Sequence, residues 1–295
     1  MKQYILPVLG ATAVGVGVAW LLTTSVTLAY RGVKGPTTLA YQATEEKVEK
    51  VEKVEKIDEK VEEKIPPSPP AVTARAYLLA DLNTGETIIG RGAKTAYPIA
   101  SITKLMTALI SLEVMNQANL VAIDGEKLAV GDLLYPLLLE SSNEAAEAMA
   151  QAYGRDRFIA LMNDKARDLN LKQTAFADPS GISEGNRSTA EDLARFLEYL
   201  YREASYPLNV TQLPQKRLGR HLWLNNNRLV RAAGFLGGKT GKTVPARQTL
   251  ASIIELPLPD GTSRPIALVL LQSDDREGDA AVLMEYLQTI LPEQP

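Results

Sequence analysis

The 295-residue sequence predicts an α/β chain of the α+β type, one antiparallel sheet with a helical layer against it. Three observations support this. Strand-like apolar runs lie toward both ends of the folded region, AYLLADL with ETIIGRG early and TLASIIEL with PIALVLLQ late. The segments between them, SITKLMTALISLE, NEAAEAMAQAY, RFIALMNDKARDL and TAEDLARFLEYLY, carry apolar residues at helical spacing. Finally, 45% hydrophobic residues in a chain of this length supply a sizeable core.

Taken in order, residues 1–31 come first as a membrane segment. No charge occurs between Lys2 and Arg31, and ILPVLGATAVGVGVAWLL with TTSVTLAY is long enough to cross a ~30 Å hydrocarbon layer as a helix. A cleaved signal peptide, with Thr27 and Ala29 before the cut, is the competing reading, although signal cores run only about 7–15 residues. Lys2 on one side, with Arg31 and Lys34 on the other, gives a weak orientation cue. No cysteine follows the apolar run, which rules out a lipoprotein.

Residues 32–71 read as a spacer. TEEKVEKVEKVEKIDEKVEEK places Val48, Val51, Val54, Ile57 and Val61 on one narrow stripe, with Glu46 and Glu49 four residues before Lys50 and Lys53. Valine spaced mostly by three drifts off a coiled-coil seam, which favours a solvated helix over a coiled coil. IPPSPP then adds a stiff extended end. At ~1.5 Å per helical residue and ~3.1 Å per proline-type residue, the tether reaches some tens of Å.

Residues 72–295 read as one domain. Asn83-Thr84-Gly85 turns the first hairpin and the turn-rich PLPDGTSRP joins the second. DAAVLMEYLQTIL closes the chain as a helix packing one apolar face.

Composition excludes several chemistries. A net charge of -3 gives no reason to expect nucleic acid. The absence of cysteine removes disulfides, zinc thiolates and cysteine nucleophiles together. His221 is the only histidine, so a histidine metal site is disfavoured and any Ser-His-Asp triad would depend on that one residue. No metal and no cofactor is expected.

GGKTGKT, residues 237–243, invites a phosphate-loop reading. That motif needs a glycine five positions before the Gly of Gly-Lys-Thr, where this chain has Ala233 or Leu236. The following TLASIIEL is also strand-like, whereas a phosphate loop leads into a helix. The other reading is Lys239-Thr240-Gly241, one part of a serine acyl-transfer site that works without histidine. Such a serine needs another base, and a lysine one helical turn further along lies on the same face. Ser101-Ile102-Thr103-Lys104 has that spacing, and Ser141-Ser142-Asn143 opens the next helix. Either could be an ordinary helix cap. All three in the order Ser-x-x-Lys, Ser-x-Asn, Lys-Thr-Gly are much less common by chance.

Beyond these motifs, NTGETIIGRGAKTAYPIASITKLMTALISLE, LLYPLLLESSNEAAEAMA, FIALMNDKARDLNLKQTAFADPSGIS, STAEDLA and NNNRLV extend the match over nearly all of Arg75 to Leu291. The chain resembles the low-molecular-mass penicillin-binding proteins, the D-alanyl-D-alanine carboxypeptidases of the peptidase S11 family. The resemblance implies a serine β-lactamase/penicillin-binding transpeptidase-like fold. It makes Ser101 the nucleophile and Lys104 its base, with Lys239 lowering the Lys104 pKa by like-charge repulsion. Ser141 would relay a proton to the departing D-alanine, and Asn143 would orient Lys104 and the substrate amide. Lys239, Thr240 and Gly241 would bind the terminal carboxylate, and the N–H groups of Ser101 and Lys242 would form the oxyanion hole. The implied partners are the peptidoglycan pentapeptide stem, and β-lactams as covalent inhibitors at Ser101. A single-pass membrane protein with an extracytoplasmic catalytic domain follows, secreted if the N-terminal segment is cleaved.

Several positions depart from the family pattern. The segment from Leu112 to Leu133 is short, which suggests a reduced groove wall beside Ser141. KTVPARQ after the Lys-Thr-Gly brings Lys242, Arg247 and Gln248 to the rim. Asp274, with Arg276 two residues on, stands where the family often has a carboxylate-binding arginine, so Lys242 or Arg247 is expected to substitute. No β-rich domain or amphipathic anchor is expected after the closing helix, with the N-terminal helix expected in place of that anchor. The expected activity is D-Ala-D-Ala carboxypeptidase. Cleavage of cross-links as an endopeptidase and non-catalytic wall binding are the alternatives. A β-lactamase fits less well, since no class A-like glutamate loop lies between Asn143 and Lys239.

Overall fold

Alternation of side chains along two paired strands decides the layers of this molecule. The computed structural model describes residues 68–258 and 261–291. These lie in one compact unit, Ile65–Pro295. The expected membrane segment at 1–31 and most of the spacer at 32–71 lie outside the described residues. No helix among the described residues is long and apolar enough to cross a membrane.

In chain order, β1 (Ala76–Asp81) and β2 (Thr87–Arg91) form the first expected hairpin. A short strand β3 (Tyr97–Pro98) leads into a 3-10 turn (Ala100–Ile102) that continues as α1 (Thr103–Val114). The hairpin β4 (Leu120–Ile123) and β5 (Glu126–Ala129) follows, then α2 (Val130–Tyr135) and a π-helical turn (Pro136–Glu140). Next come α3 (Asn143–Tyr153), α4 (Arg155–Asp168), β6 (Arg187–Ser188), α5 (Ala190–Glu203) and α6 (Tyr206–Thr211). The hairpin β7 (Gln215–Leu218) and β8 (His221–Leu224) precedes the last sheet strands, β9 (Phe235–Thr243), β10 (Arg247–Pro257) and β11 (Ser263–Ser273), and α7 (Arg276–Ile290) closes the fold.

The main sheet has the order β2-β1-β11-β10-β9 and is antiparallel throughout. Strand β1 thus pairs with a strand near the other end of the chain, Leu79 opposite Leu268. On β1, Ala76, Leu78 and Ala80 point into one core while Tyr77 and Leu79 point into the other; on β11, Ala267, Val269 and Leu271 alternate with Ile266, Leu268 and Leu270. Both faces are covered, which explains why these strands read as continuous apolar runs rather than alternating ones. The larger core joins the sheet to α1, α3, α4 and α5, the latter through Leu193, Phe196, Leu197 and Leu200 at helical spacing. The smaller core is closed by Ala280, Leu283 and Leu287 of α7.

The expected helical layer is therefore two layers, because α7 covers the face opposite the other helices. Its first turn is tied to the start of the domain by the buried Asp279, which accepts from Thr73 N at 2.7 Å and Ala74 N at 2.8 Å. The segment between Leu112 and Leu133, expected to leave a reduced wall, folds as the β4–β5 hairpin. With Ser141, that hairpin lines a cavity of about 540 Å³.

Leu283 is fully buried between α7 and the sheet. Leu283→Ala is expected to lower unfolding free energy by about 2–5 kcal/mol, measured as a lower urea midpoint at unchanged m-value.

Candidate active site

Ser101 sits in the turn that leads into α1, whose residues Thr103 to Ser111 are all buried, and that turn is strained. Ala100 just before it has φ +48, a left-handed conformation that costs a non-glycine residue of order 1–3 kcal/mol. Neighbours hold it there: Thr249 Oγ1 donates to the Ile99 carbonyl at 3.1 Å and Ile99 N donates to the Asn186 carbonyl at 3.0 Å. Gly181 packs so closely that a β-carbon on it would stand 2.1 Å from the Ala100 carbonyl oxygen. The helix start has no side-chain cap bond, so Ser101 is not spent as a cap.

Lys104 follows one turn later on the same face, fully buried. Its Nζ lies 3.0 Å from Ser101 Oγ and donates to Asn143 Oδ1 at 2.8 Å and to the Ser180 carbonyl. Burial pushes its pKa down to about 8, against the pull of Asp178 and Glu144, which favour the ammonium. As a neutral amine, Lys104 has two N–H bonds and one lone pair. Asn143 Oδ1 and the Ser180 carbonyl can only accept, so they take the two N–H bonds and the lone pair faces the Ser101 hydroxyl. The arrangement can withdraw a proton from Ser101.

The second motif divides its labour. Ser142, not Ser141, caps α3, accepting from Ala145 N at 3.0 Å. Ser141 ends the π-helical turn in a left-handed conformation, φ +66, and its Oγ is buried with no hydrogen-bond partner among the described residues. With Ser101, Asn143, Asn226, Thr240, Gly241, Lys242 and Arg276 it lines a cavity of about 340 Å³.

The third motif lies on β9, the edge strand of the sheet. Gly241 is needed because a β-carbon there would come within 2.8 Å of Ser101 N and 2.5 Å of Thr249 Oγ1. Lys239 is buried and donates to the Thr240 carbonyl at 3.2 Å. Burial first, then repulsion from Lys104 and Arg276, pushes its pKa down to about 7. Burial is the dominant cause for both amines, and repulsion from like charges adds to it only at Lys239. The sequence assigns Lys239 a part in lowering the Lys104 pKa; burial accounts for the lowering, and the charges acting on Lys104 are Asp178 and Glu144, which oppose it.

All eight residues expected from the sequence converge; of the two expected substitute cations, Lys242 lines the cavity and Arg247 does not. Arg247 is ion-paired with Asp274 and lies outside the cavity lining, and the Lys242 side chain is exposed. Arg276, given no role from the sequence, lines the cavity beside Lys242, donating from Nη1 to the Gly241 carbonyl at 3.0 Å with its side chain only 15% exposed. Asn226, held by bonds to the Leu139 and Glu140 carbonyls at 3.0 Å each, is a second lining residue given no role from the sequence. The only signals were the Asn run 225–227 and an arginine two places from the expected one. His221 lies apart from Ser101, stacked on Trp223 and 3.1 Å from Glu126 in the larger cavity.

A family model described as peptidase S11, D-alanyl-D-alanine carboxypeptidase, matches residues 63–124 and 113–255. The chain is 36% identical over 150 residues to the D-alanyl-D-alanine endopeptidase of Pseudomonas aeruginosa, covering 44% of this chain and 47% of that protein. It is 28% identical over 237 residues to the D-alanyl-D-alanine carboxypeptidase DacF of Bacillus subtilis, covering 71% of this chain and 60% of that one. The chain thus spans about half to three fifths of the length of these curated relatives. Penicillin-binding protein D2 of Listeria monocytogenes, solved in an ampicillin-bound form, superposes with a TM-score of 0.67 at 25% identity, over 74% of this chain and 98% of that one.

The buried amines carry a pH signature. Lys239 is lowered from its ordinary 10.5 to about 7, so across that window the folded chain binds fewer protons than the unfolded chain and stability climbs with pH. Lys239→Met removes that contribution. Urea unfolding from pH 7 to 10 is expected to show wild type gaining on the variant as pH rises.

Proposed function

Since the chain belongs to the peptidase S11 family of D-alanyl-D-alanine carboxypeptidases, we propose that it is a serine-type D-Ala-D-Ala carboxypeptidase. It would remove the terminal D-alanine of a peptidoglycan stem peptide through an acyl-enzyme at Ser101. The observation that carries this reading is the amine of Lys104, whose lone pair is aimed at Ser101 by two carbonyl-type acceptors.

The Ser101 proton passes to Lys104 Nζ as Oγ attacks the carbonyl of the penultimate D-alanine. The oxyanion is taken by the N–H groups of Ser101 and Lys242, which line one cavity. The leaving amine receives its proton through Ser141 Oγ, whose unpartnered hydroxyl suits a relay. Asn143 holds Lys104 and the substrate amide. Lys239, Thr240 and Arg276 bind the terminal carboxylate, on the strand that Gly241 lets approach Ser101. Water then attacks the ester, its proton passing to Lys104, and Ser101 is regenerated. A β-lactam offers the same carbonyl and carboxylate and would be trapped at Ser101; the ampicillin-bound form of the Listeria relative supports that extension.

A second reading, D,D-endopeptidase, is favoured by the cavity of about 540 Å³ that opens beyond Ser141, roomy enough for more of a cross-linked peptide. The likeness to the Pseudomonas endopeptidase points the same way. The uncharged stretch between Lys2 and Arg31 supports a proposal that the domain is tethered to the membrane on its extracytoplasmic side.

Fluorescent penicillin is expected to label the protein covalently and to fail on Ser101→Ala. Free D-alanine should appear from a stem pentapeptide. Release from cross-linked dimers alone would replace the first reading by the second, and neither product nor label would end both. Arg276→Gln is expected to lower kcat/KM on D-Ala-D-Ala peptides by about 10–100-fold, the value of a charged hydrogen bond. Arg247→Gln should stay within about twofold.

A further inference from the structure

We propose that Asp178 is a positioning residue for this reaction: its buried carboxylate shapes the loop Asp178–Asn186 so that the Ser180 carbonyl aims Lys104 at Ser101. The inference rests on the reading of Ser101 and Lys104 as nucleophile and base.

Asp178 is 6% exposed and accepts five hydrogen bonds. Oδ1 takes Ser180 N at 2.7 Å, Ser180 Oγ at 2.8 Å and Gly181 N at 2.6 Å. Oδ2 takes Ser183 N at 2.6 Å and Asn186 Nδ2 at 2.8 Å. Every donor comes from within the loop, so the carboxylate gathers the N–H groups inward. The carbonyls are left to face outward, and two of them land on α1 one turn apart. The Ser180 carbonyl accepts from Lys104 Nζ, and the Pro179 carbonyl accepts from Thr107 Oγ1 at 2.5 Å. The same loop brings Gly181 against the Ala100 carbonyl and the Asn186 carbonyl to Ile99 N, on either side of the strained turn before Ser101. One carboxylate thereby indexes the nucleophile and the base to a common support.

A loop that merely filled space would need no such charge. Burial works to protonate Asp178, but the donors from Ser183, Ser180 and Gly181 outweigh it and hold its pKa below the ordinary value. The ionised carboxylate also favours the ammonium of Lys104. The charged groups facing Lys104 are Asp178 from the loop, Glu144 from α3 and Lys239 from β9, with Arg276 of α7 beyond Lys239. Removing the negative charge at 178 therefore lowers the Lys104 pKa, and the acid limb of the acylation profile moves to lower pH. Positioning and charge act in opposite directions on the base, which makes them separable.

The test uses the full chain with two variants and two readouts: the rate of penicillin acylation against pH, and the titration of Lys104 followed by its 13Cε shift, assigned by its loss in Lys104→Arg. Asp178→Asn is expected to lower the Lys104 midpoint by about half a unit or more, and to reduce the plateau acylation rate about 10-fold or more. Thr107→Val frees the Pro179 carbonyl but keeps the charge. It should reduce the plateau about threefold or more and leave the midpoint in place. A shifted midpoint with a wild-type plateau in Asp178→Asn would make Asp178 a charge neighbour only and overturn the positioning role. If Asp178→Asn does not fold, Thr107→Val decides, and an unchanged plateau there overturns the inference. If wild type takes no penicillin, the functional reading falls. The inference rests on that reading and falls with it, whereas a labelled wild type with an unchanged plateau in Asp178→Asn and Thr107→Val sinks the inference alone.

Discussion

The burial of Lys104 is the constraint on which the rest of the site depends. An ammonium taken out of water is costly unless paired, and this one has no carboxylate within direct hydrogen-bond contact among the described residues. It meets instead an amide oxygen, a main-chain carbonyl and a hydroxyl, groups that serve a neutral amine as well as a charged one. The chain resolves the cost by lowering the proton affinity of the lysine, and a base able to act near neutral pH results.

The same constraint explains why three distant parts of the chain must meet. Ser101 and Lys104 are adjacent on one helix, but Asn143 comes from the start of α3, Ser180 from a loop after α4, and Lys239 from the edge strand. The sheet makes the convergence possible: pairing β1 with β11 and β11 with β10 places β9 against the turn that bears Ser101. Glycines at 181 and 241 permit that approach, one beside the Ala100 carbonyl and the other beside Ser101 N. Side chains at either point would push the nucleophile away from its partners.

Positive charge is concentrated on the far side of the groove. Lys242 and Arg276 line the cavity with Ser101, Lys239 lies buried on the same strand as Lys242, and Arg276 reaches in from the first turn of α7. Lys239 loses proton affinity through its burial and through that company, so anion binding and proton affinity are linked there: a bound carboxylate would favour the ammonium. The neighbouring Asp274 is occupied by Arg247 and does not compete.

Local patterns in the sequence determined much of this. Spacing placed Lys104 one helical turn from Ser101, the order of three motifs distinguished Lys239-Thr240-Gly241 from a phosphate loop, and apolar runs marked the β1–β2 and β10–β11 hairpins and the main helices. These features depend on neighbours within a few residues, and periodicity reports such neighbours directly. Tertiary structure alone decided which cation faces the groove and what supports the base. The register of β10 against β11 shifts between Gln248 and Leu250, and Gln272 beside it has φ +57. Beyond it Arg276, in the first turn of α7, and not residue 274, lines the cavity. The Asp178 loop was equally hidden, because its meaning lies in where its carbonyls land on α1, and a sequence does not record the direction in which a carbonyl points.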